Sequence, residues 1–164
     1  MRHASDLRSA LLLRPATLAE YLKDQIIRVA GSAIEFTVDA SWPARNERRL
    51  GYSQLVRLIE VARESHWKLL ARKNRGSRLD SVIRWMRVSF DAPVLVGRTY
   101  QLSSTVTHVG NTSYDLEVRC RELPLTRITT TALLRSVLIR ANDMSPVKIP
   151  SGLRTQLRCR SMRK

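Results

Sequence analysis

A chain of 164 residues with 43% hydrophobic content suits one domain with a core of its own and excludes wholesale disorder. No apolar run approaches the ~20 residues of a membrane-spanning helix, so stable membrane insertion is not expected. The 29 basic against 14 acidic residues, a formal charge of +15, predict attraction to nucleic acid, an anionic membrane or a phosphate-bearing ligand; the excess is spread along the chain, which also suits an ordinary solvated surface, and is locally densest in the tail Arg154, Arg158, Arg160, Arg163, Lys164.

At the start, Arg2 and Arg8 precede Ala10–Leu13, an apolar run too short for a secretory signal and ended by Arg14. An Arg-rich, Ser-containing start is similar to a transit peptide, but Asp6, Glu20 and Asp24 weigh against one. Residues 5–30 read as one or two short helices. Pro15 stands at a helix start, Thr17 is a candidate cap, Leu18, Tyr21, Leu22, Gln25 and Ile26 recur at helical spacing, and Gly31-Ser32 closes the segment. Residues 1–33 are therefore expected to form an N-terminal helical extension.

From Ile34 to Trp42 the pattern alternates. Ile34, Phe36, Val38 and Ala40 lie on one face and Glu35, Thr37, Asp39 and Ser41 on the other, as in a half-buried strand ended by Pro43. A charged loop, Ala44–Leu50, leads to a long helix predicted from Gly51 to about Lys73. Its apolar stripe is Leu55, Leu58, Ile59, Ala62, His66 and Leu69, Glu64 and Lys68 pair on another face, and Asn74-Arg75-Gly76-Ser77 ends it. Four strands follow, Ser81–Phe90, Thr99–Val109, Ser113–Glu122 and Arg127–Arg140, rich in Val, Ile, Thr, Tyr and Leu. Their short breaks predict hairpins and an antiparallel meander, with the one long helix covering a sheet face. Cys120 in a strand and Cys159 in the tail make no metal or redox spacing, which predicts a reduced, cytoplasmic protein.

Four segments then carry a family likeness. They are Leu58-Ile59-Glu60-Val61-Ala62-Arg63-Glu64 on the helix, Phe90-Asp91-Ala92-Pro93-Val94-Leu95-Val96-Gly97 after the second strand, His108-Val109-Gly110-Asn111-Thr112-Ser113 at a hairpin, and Pro146-Val147-Lys148-Ile149-Pro150-Ser151-Gly152-Leu153-Arg154 before a short closing helix. In this order they resemble the hot-dog thioesterases, the 4-hydroxybenzoyl-CoA thioesterase-like group, over about residues 34–157, with residues 158–164 left as a basic tail. The resemblance implies an α+β fold, one long central helix wrapped by a curved antiparallel sheet of about five strands. It implies a homodimer or homotetramer with active sites at the subunit interface. It further implies acyl groups on coenzyme A or an acidic acyl carrier protein as substrates, and no cofactor beyond the coenzyme A or phosphopantetheine of the substrate. Water would attack the thioester carbonyl while backbone N–H groups at the helix start stabilise the oxyanion.

The chain departs from that pattern where many members carry a catalytic aspartate, in the loop after the first strand. Here Arg45 stands there beside Asn46, and Arg48, Arg49, Gly51 and Tyr52 replace the usual Gly-His and Asn-Asn. An arginine stays protonated and cannot be a base. Some members without the carboxylate rely on a loop asparagine and a helix arginine; Asn46 and Arg63 stand at or within one residue of those places. The catalytic candidates are therefore Asn46, Arg45, Glu60 and Arg63: Asn46 to hold water or polarise the carbonyl, Arg45 to stabilise an oxyanion or bind a carrier's phosphate, and Glu60 as a helix carboxylate that Arg63 alternatively holds as a structural pair. Gly51, Tyr52, Leu55, Gly110, Asn111, Thr112 and Ser113 are the expected substrate-binding residues, and Arg72, Lys73 and Arg75 the phosphate or carrier site; ordinary turn and helix-end chemistry explains these as well. Asp39 is a weaker catalytic candidate, His66 reads as packed and His108 as exposed. The implied function is hydrolysis of an acyl thioester to the free acid, in a fatty-acid or polyketide pathway. The alternative is an acyl-thioester-binding or regulatory module that has lost the loop aspartate. A hot-dog lyase wants a histidine that Ala44–Tyr52 does not offer, and the basic surface comes with no DNA-reading motif, so no specific nucleic acid is expected.

Overall fold

The computed structural model describes residues 26–30, 33–40, 48–71 and 78–161, with side chains from 33–40, 48–71 and 78–159. In chain order the elements are β1 (Ile26–Ala30), β2 (Ala33–Thr37), α1 (Tyr52–Ala71), β3 (Leu79–Phe90), β4 (Thr99–Val109), β5 (Ser113–Leu123), β6 (Arg127–Arg140) and α2 (Ser151–Ser161). The six strands make one antiparallel sheet in the order β1-β2-β4-β5-β6-β3. It is α+β, a long helix against a curved antiparallel sheet. Register shifts at Ile83/Trp85, Val106/His108 and Cys120/Arg121 mark bulges, each of which adds local twist and bend.

Two expectations are corrected. Ile26–Ala30 is a strand, not the end of a helix: it pairs with β2 from Ile26↔Phe36 to Ala30↔Ala33. Ile26, Ile27 and Val29 are β-branched, and Gly-Ser between the paired Ala30 and Ala33 belongs to the dipeptides that suit two-residue hairpins. The meander holds only for β4-β5-β6. β3 is not β4's hairpin partner; it lies at the far edge against β6, in register from Leu79↔Arg140 to Phe90↔Thr130. Residues 91–98 therefore carry the chain across the sheet from β3 to β4. The expected short closing helix is α2.

α1 forms where its stripe demands. Leu55, Leu58, Ile59, Ala62, His66 and Leu70 are buried; Leu70, four after His66, ends the stripe in place of Leu69. At its start the Gly51 N–H donates to Gln54 Oε1 at 2.8 Å, the reach-back half of a capping box. The stripe packs on the inner rows Leu102 and Val106 of β4, Tyr114, Leu116 and Val118 of β5 and Leu134 of β6, while Leu153 and Leu157 of α2 close the other side. Each fully buried Leu or Ile contributes about 1.5–3 kcal/mol relative to exposure. No helix among the described residues is long and apolar enough to cross a membrane.

Candidate active site

α1 has a second flank. Tyr52, Val56, Glu60, Arg63 and Trp67 follow one another at steps of four or three, so they line one side of the helix. That side faces β3. Tyr52 packs on Phe90, ring centroids 4.5 Å apart, at one end. Toward the other end lies a groove of 440 Å³, lined from α1 by Glu60, Arg63, Glu64, Trp67 and Lys68 and from β3 by Asp80, Ser81, Val82 and Ile83.

The groove is organised by Arg63, only 7% exposed although it is charged. Its Nε donates to both carboxylate oxygens of Glu60, at 3.0 and 2.9 Å, and its Nη2 donates to Glu60 Oε1 at 2.6 Å. Nη1 donates to the Ser81 carbonyl of β3 at 2.9 Å. Burial works against the guanidinium's charge, but the Glu60 carboxylate outweighs it and holds the arginine's pKa above its ordinary value. Behind this pair, Ser81 Oγ and the Tyr114 hydroxyl are hydrogen-bonded at 2.9 Å. Burial pushes the Tyr114 phenol up, partly offset by that bond. Glu60 itself keeps 37% of its side chain exposed, so a carboxylate fixed in orientation fronts the open groove.

The helix start is anchored separately. Leu50 N–H donates to Val94 O at 2.8 Å and Val96 N–H to Arg48 O at 3.0 Å, while Leu95 N–H is held by the Tyr100 hydroxyl at 2.8 Å. No acidic residue occupies the first turn of α1, so the positive pole of its dipole is not offset from within the helix. Leu55 belongs to the core, 4% exposed, and Tyr52 is 59% exposed. Between Tyr52 and Glu60 the helix rises about 12 Å.

The expected substrate hairpin lies at the opposite end of the sheet from the start of α1, because Ser113 pairs with Val137 late in β6 whereas Phe90 pairs with Thr130 early in it. Its carbonyls serve the fold: Gly110 N–H donates to Ser113 O, Leu138 N–H to Thr112 O and Ile149 N–H to Asn111 O, and Arg154 Nη2 also reaches Asn111 O at 3.4 Å. Ser113 is nevertheless only two strand spacings, about 10 Å, from the groove, through Val137 to Val82. The structure thus brings Glu60 and Arg63 together, puts Gly51 and Tyr52 about 12 Å or more away along the helix, places Leu55 in the core, and sets Gly110–Ser113 beyond β6. Arg45, Asn46, Arg72, Lys73 and Arg75 lie outside the described residues. His66 is fully buried, and His108 and Asp39 are exposed.

Ser81, Tyr114 and Trp67 were not singled out from the sequence. A signal for the network existed: Arg63 falls four residues after buried Ile59 and three before buried His66, and an arginine in that phase must find partners.

In chemical terms, a carboxylate with fixed lone pairs beside an open groove can take a proton from water or attack a carbonyl carbon. Backbone N–H groups at a helix start can stabilise an oxyanion.

No family model and no curated protein matches the sequence. Solved structures do match. A predicted thioesterase from Bacillus stearothermophilus is 18% identical, with TM-score 0.68, over 78% of this chain and 94% of that one. A 1,4-dihydroxy-2-naphthoyl-CoA thioesterase from Synechocystis is 14% identical, with TM-score 0.62, over 76% and 93%. A gentisyl-coenzyme A thioesterase is 15% identical, with TM-score 0.64, over 76% and 98%. At such identities the likeness carries the architecture alone, and the chain has the hot-dog fold of these thioesterase structures.

Proposed function

We propose that the chain hydrolyses an acyl thioester, carried on coenzyme A or on an acidic acyl carrier protein, to the free acid and the thiol. The observation that carries this reading is the Glu60 carboxylate, part-exposed in the groove and fixed by buried Arg63. In the reaction Glu60 takes a proton from water as the water oxygen bonds to the thioester carbonyl carbon. The carbonyl π electrons move to oxygen, and the oxyanion is met by backbone N–H donors. The oxyanion then collapses, the carbon–sulfur bond breaks, and the proton returns to the departing thiolate. The names of the structural neighbours support a thioester as substrate. The +15 charge supports an encounter with an acidic carrier or a phosphate-bearing coenzyme.

The separation within one chain argues for a homodimer. Glu60 and the α1 start are about 12 Å apart, too far to act on one carbonyl. A second copy on the open α1–β3 face, its helix running the other way, supplies a helix start for Glu60. Asn46 and Arg45 then polarise the substrate from the loop before α1, and Arg72, Lys73 and Arg75 take the phosphates. Two unbridged cysteines, Cys120 and Cys159, suit a reducing cytoplasm.

Arg63's three bonds to Glu60 favour a second reading, in which the pair is structural and the chain binds thioesters without cleaving them. Thiol release from a panel of acyl-CoAs and acyl carrier proteins decides between them. The proposal expects Glu60→Gln to lower kcat by about 10²–10⁴-fold in a folded dimer. Turnover that survives in Glu60→Gln but is lost in Asn46→Ala or Arg45→Ala moves the chemistry to the loop. No turnover by the wild type on any thioester leaves the binding module.

A further inference from the structure

Arg63 makes bonds that a residue acting on substrate would keep available. Nε and Nη2 are spent on Glu60, Nη1 on the Ser81 carbonyl, and little of the side chain reaches solvent. We propose that Arg63 is a positioning residue that ties the Glu60 carboxylate to the edge strand β3, and that it acts on the reaction only through Glu60. The inference rests on the reading of Glu60 as the reacting carboxylate.

The geometry supports each part. A carboxylate on an exposed helix flank has several rotamers and would sample them. The two-pronged guanidinium contact selects one, because a planar fork fits a carboxylate in one plane. A lysine in the same place supplies charge without the fork. The bond to Ser81 O fixes the guanidinium in turn, and its acceptor is main chain, so it does not move with a rotamer. Ser81 is itself pinned from beneath by the Tyr114 hydroxyl and from its own strand by Asp80, whose Oδ1 accepts the Ser81 N–H at 2.7 Å. The chain of contacts runs from the buried start of β5 through the edge strand to the groove, so the carboxylate's aim is set by the sheet as well as by the helix that bears it. The other charges on the groove are placed elsewhere: Lys68 pairs with Glu64 at 3.6 Å, and Asp80 serves its own strand.

The test is a double-substitution cycle read in kcat and KM on the best thioester of the panel. Arg63→Lys is expected to lose on the order of 100-fold in kcat with KM within a few-fold of wild type, since misaiming a reacting group by about an ångström costs that much. Arg63→Gln combined with Glu60→Gln is expected to fall no further than Glu60→Gln alone, because one residue works through the other. Thermal melting and sedimentation establish that each variant is folded and dimeric; where Arg63→Gln does not fold, Arg63→Lys with Glu60→Gln completes the cycle. Multiplied effects in the double variant, or a rise in KM with kcat unchanged, mean that Arg63 touches substrate and overturn the inference. Wild-type kcat in Arg63→Lys, with Glu60→Gln inactive, overturns it while the proposed function stands. Full turnover in Glu60→Gln removes the proposed role of Glu60 and the inference with it.

Discussion

β5 and β3 belong to the same sheet and present the same inner face to the same helix, yet they are buried in different ways. Along β5 the alternation is complete: Tyr114, Leu116, Val118, Cys120 and Glu122 are buried and the residues between them are not. Along β3 the corresponding row, Ser81, Ile83, Met86, Val88 and Phe90, is fully buried only at Ser81, and Phe90 is 39% exposed. The sequence is as apolar in one row as in the other; what differs is cover. β5 lies under α1, whereas β3 is the outer strand, with a groove where the cover stops. The interior of the fold is thus finished within one chain. The flank that carries Glu60 and Arg63 is not, and that contrast is the physical case for a second copy.

The sharpest way to break the comparison is to charge the open row. Phe90→Asp removes little from the core of a single chain, since Phe90 is 39% exposed and its ring contact among the described residues is with exposed Tyr52. The expected outcome is a folded monomer in sedimentation velocity, with turnover lost by about 100-fold or more because the helix start of the second copy is withdrawn. An unchanged dimer with unchanged turnover removes the open face from the interface. The matching change on the covered side, Leu58→Ala, acts through folding instead. It is expected to cost about 2–5 kcal/mol in denaturant unfolding, with the surviving folded protein still able to associate.

A third prediction concerns the covered row alone. Burial raises the Cys120 thiol from 9.0 to about 11, partly offset by Thr129. The unfolded chain therefore loses this proton at lower pH than the folded one. The stabilisation is complete below about pH 9 and is lost as pH rises toward 11, amounting to roughly 2–3 kcal/mol. Cys120→Val is expected to flatten the fall in stability over that interval, measured by unfolding at successive pH values. A fall as steep as in wild type assigns the alkaline loss to other groups.

The elements from Ile34 onward were legible because each obeys its own period: three steps of two in Ile34–Ala40, steps of three and four in Leu55–His66, and turn residues at each strand end. The place of β3 was not legible. Nothing local in Leu79–Phe90 states that its partner is β6, whose paired residues lie from Thr130 opposite Phe90 to Arg140 opposite Leu79, because pairing is settled by which edges remain after β4, β5 and β6 have formed their hairpins. β1 was misread because Leu18, Leu22 and Ile26 continue a helical phase into residues that the sheet edge recruits. In the candidate site, Glu60 and Arg63 were readable as an i,i+3 pair. Ser81 and Tyr114 were not, since each comes to the pair from a different strand across the fold.

The smallest expected effect tests whether the two regions are joined. Tyr114 sits in the finished row, 1% exposed, and its hydroxyl meets Ser81 of the unfinished one. Tyr114→Phe deletes that single oxygen and leaves the ring packed. A buried hydrogen bond of this kind contributes about 0.5–1.5 kcal/mol, so a loss of about 1 kcal/mol in unfolding free energy is expected. Part of it returns at high pH. Burial holds the folded phenol's pKa above the unfolded one, so its contribution is full below the unfolded pKa and fades as pH rises through the folded one; the variant, lacking the group, does not show that fading. If Ser81 is pinned by this contact, kcat falls a few-fold as well, since Arg63 and then Glu60 inherit the freedom of the β3 carbonyl. A stability loss with kcat untouched confines Tyr114 to the core and leaves the Arg63–Ser81 bond to tie the carboxylate to the sheet without it.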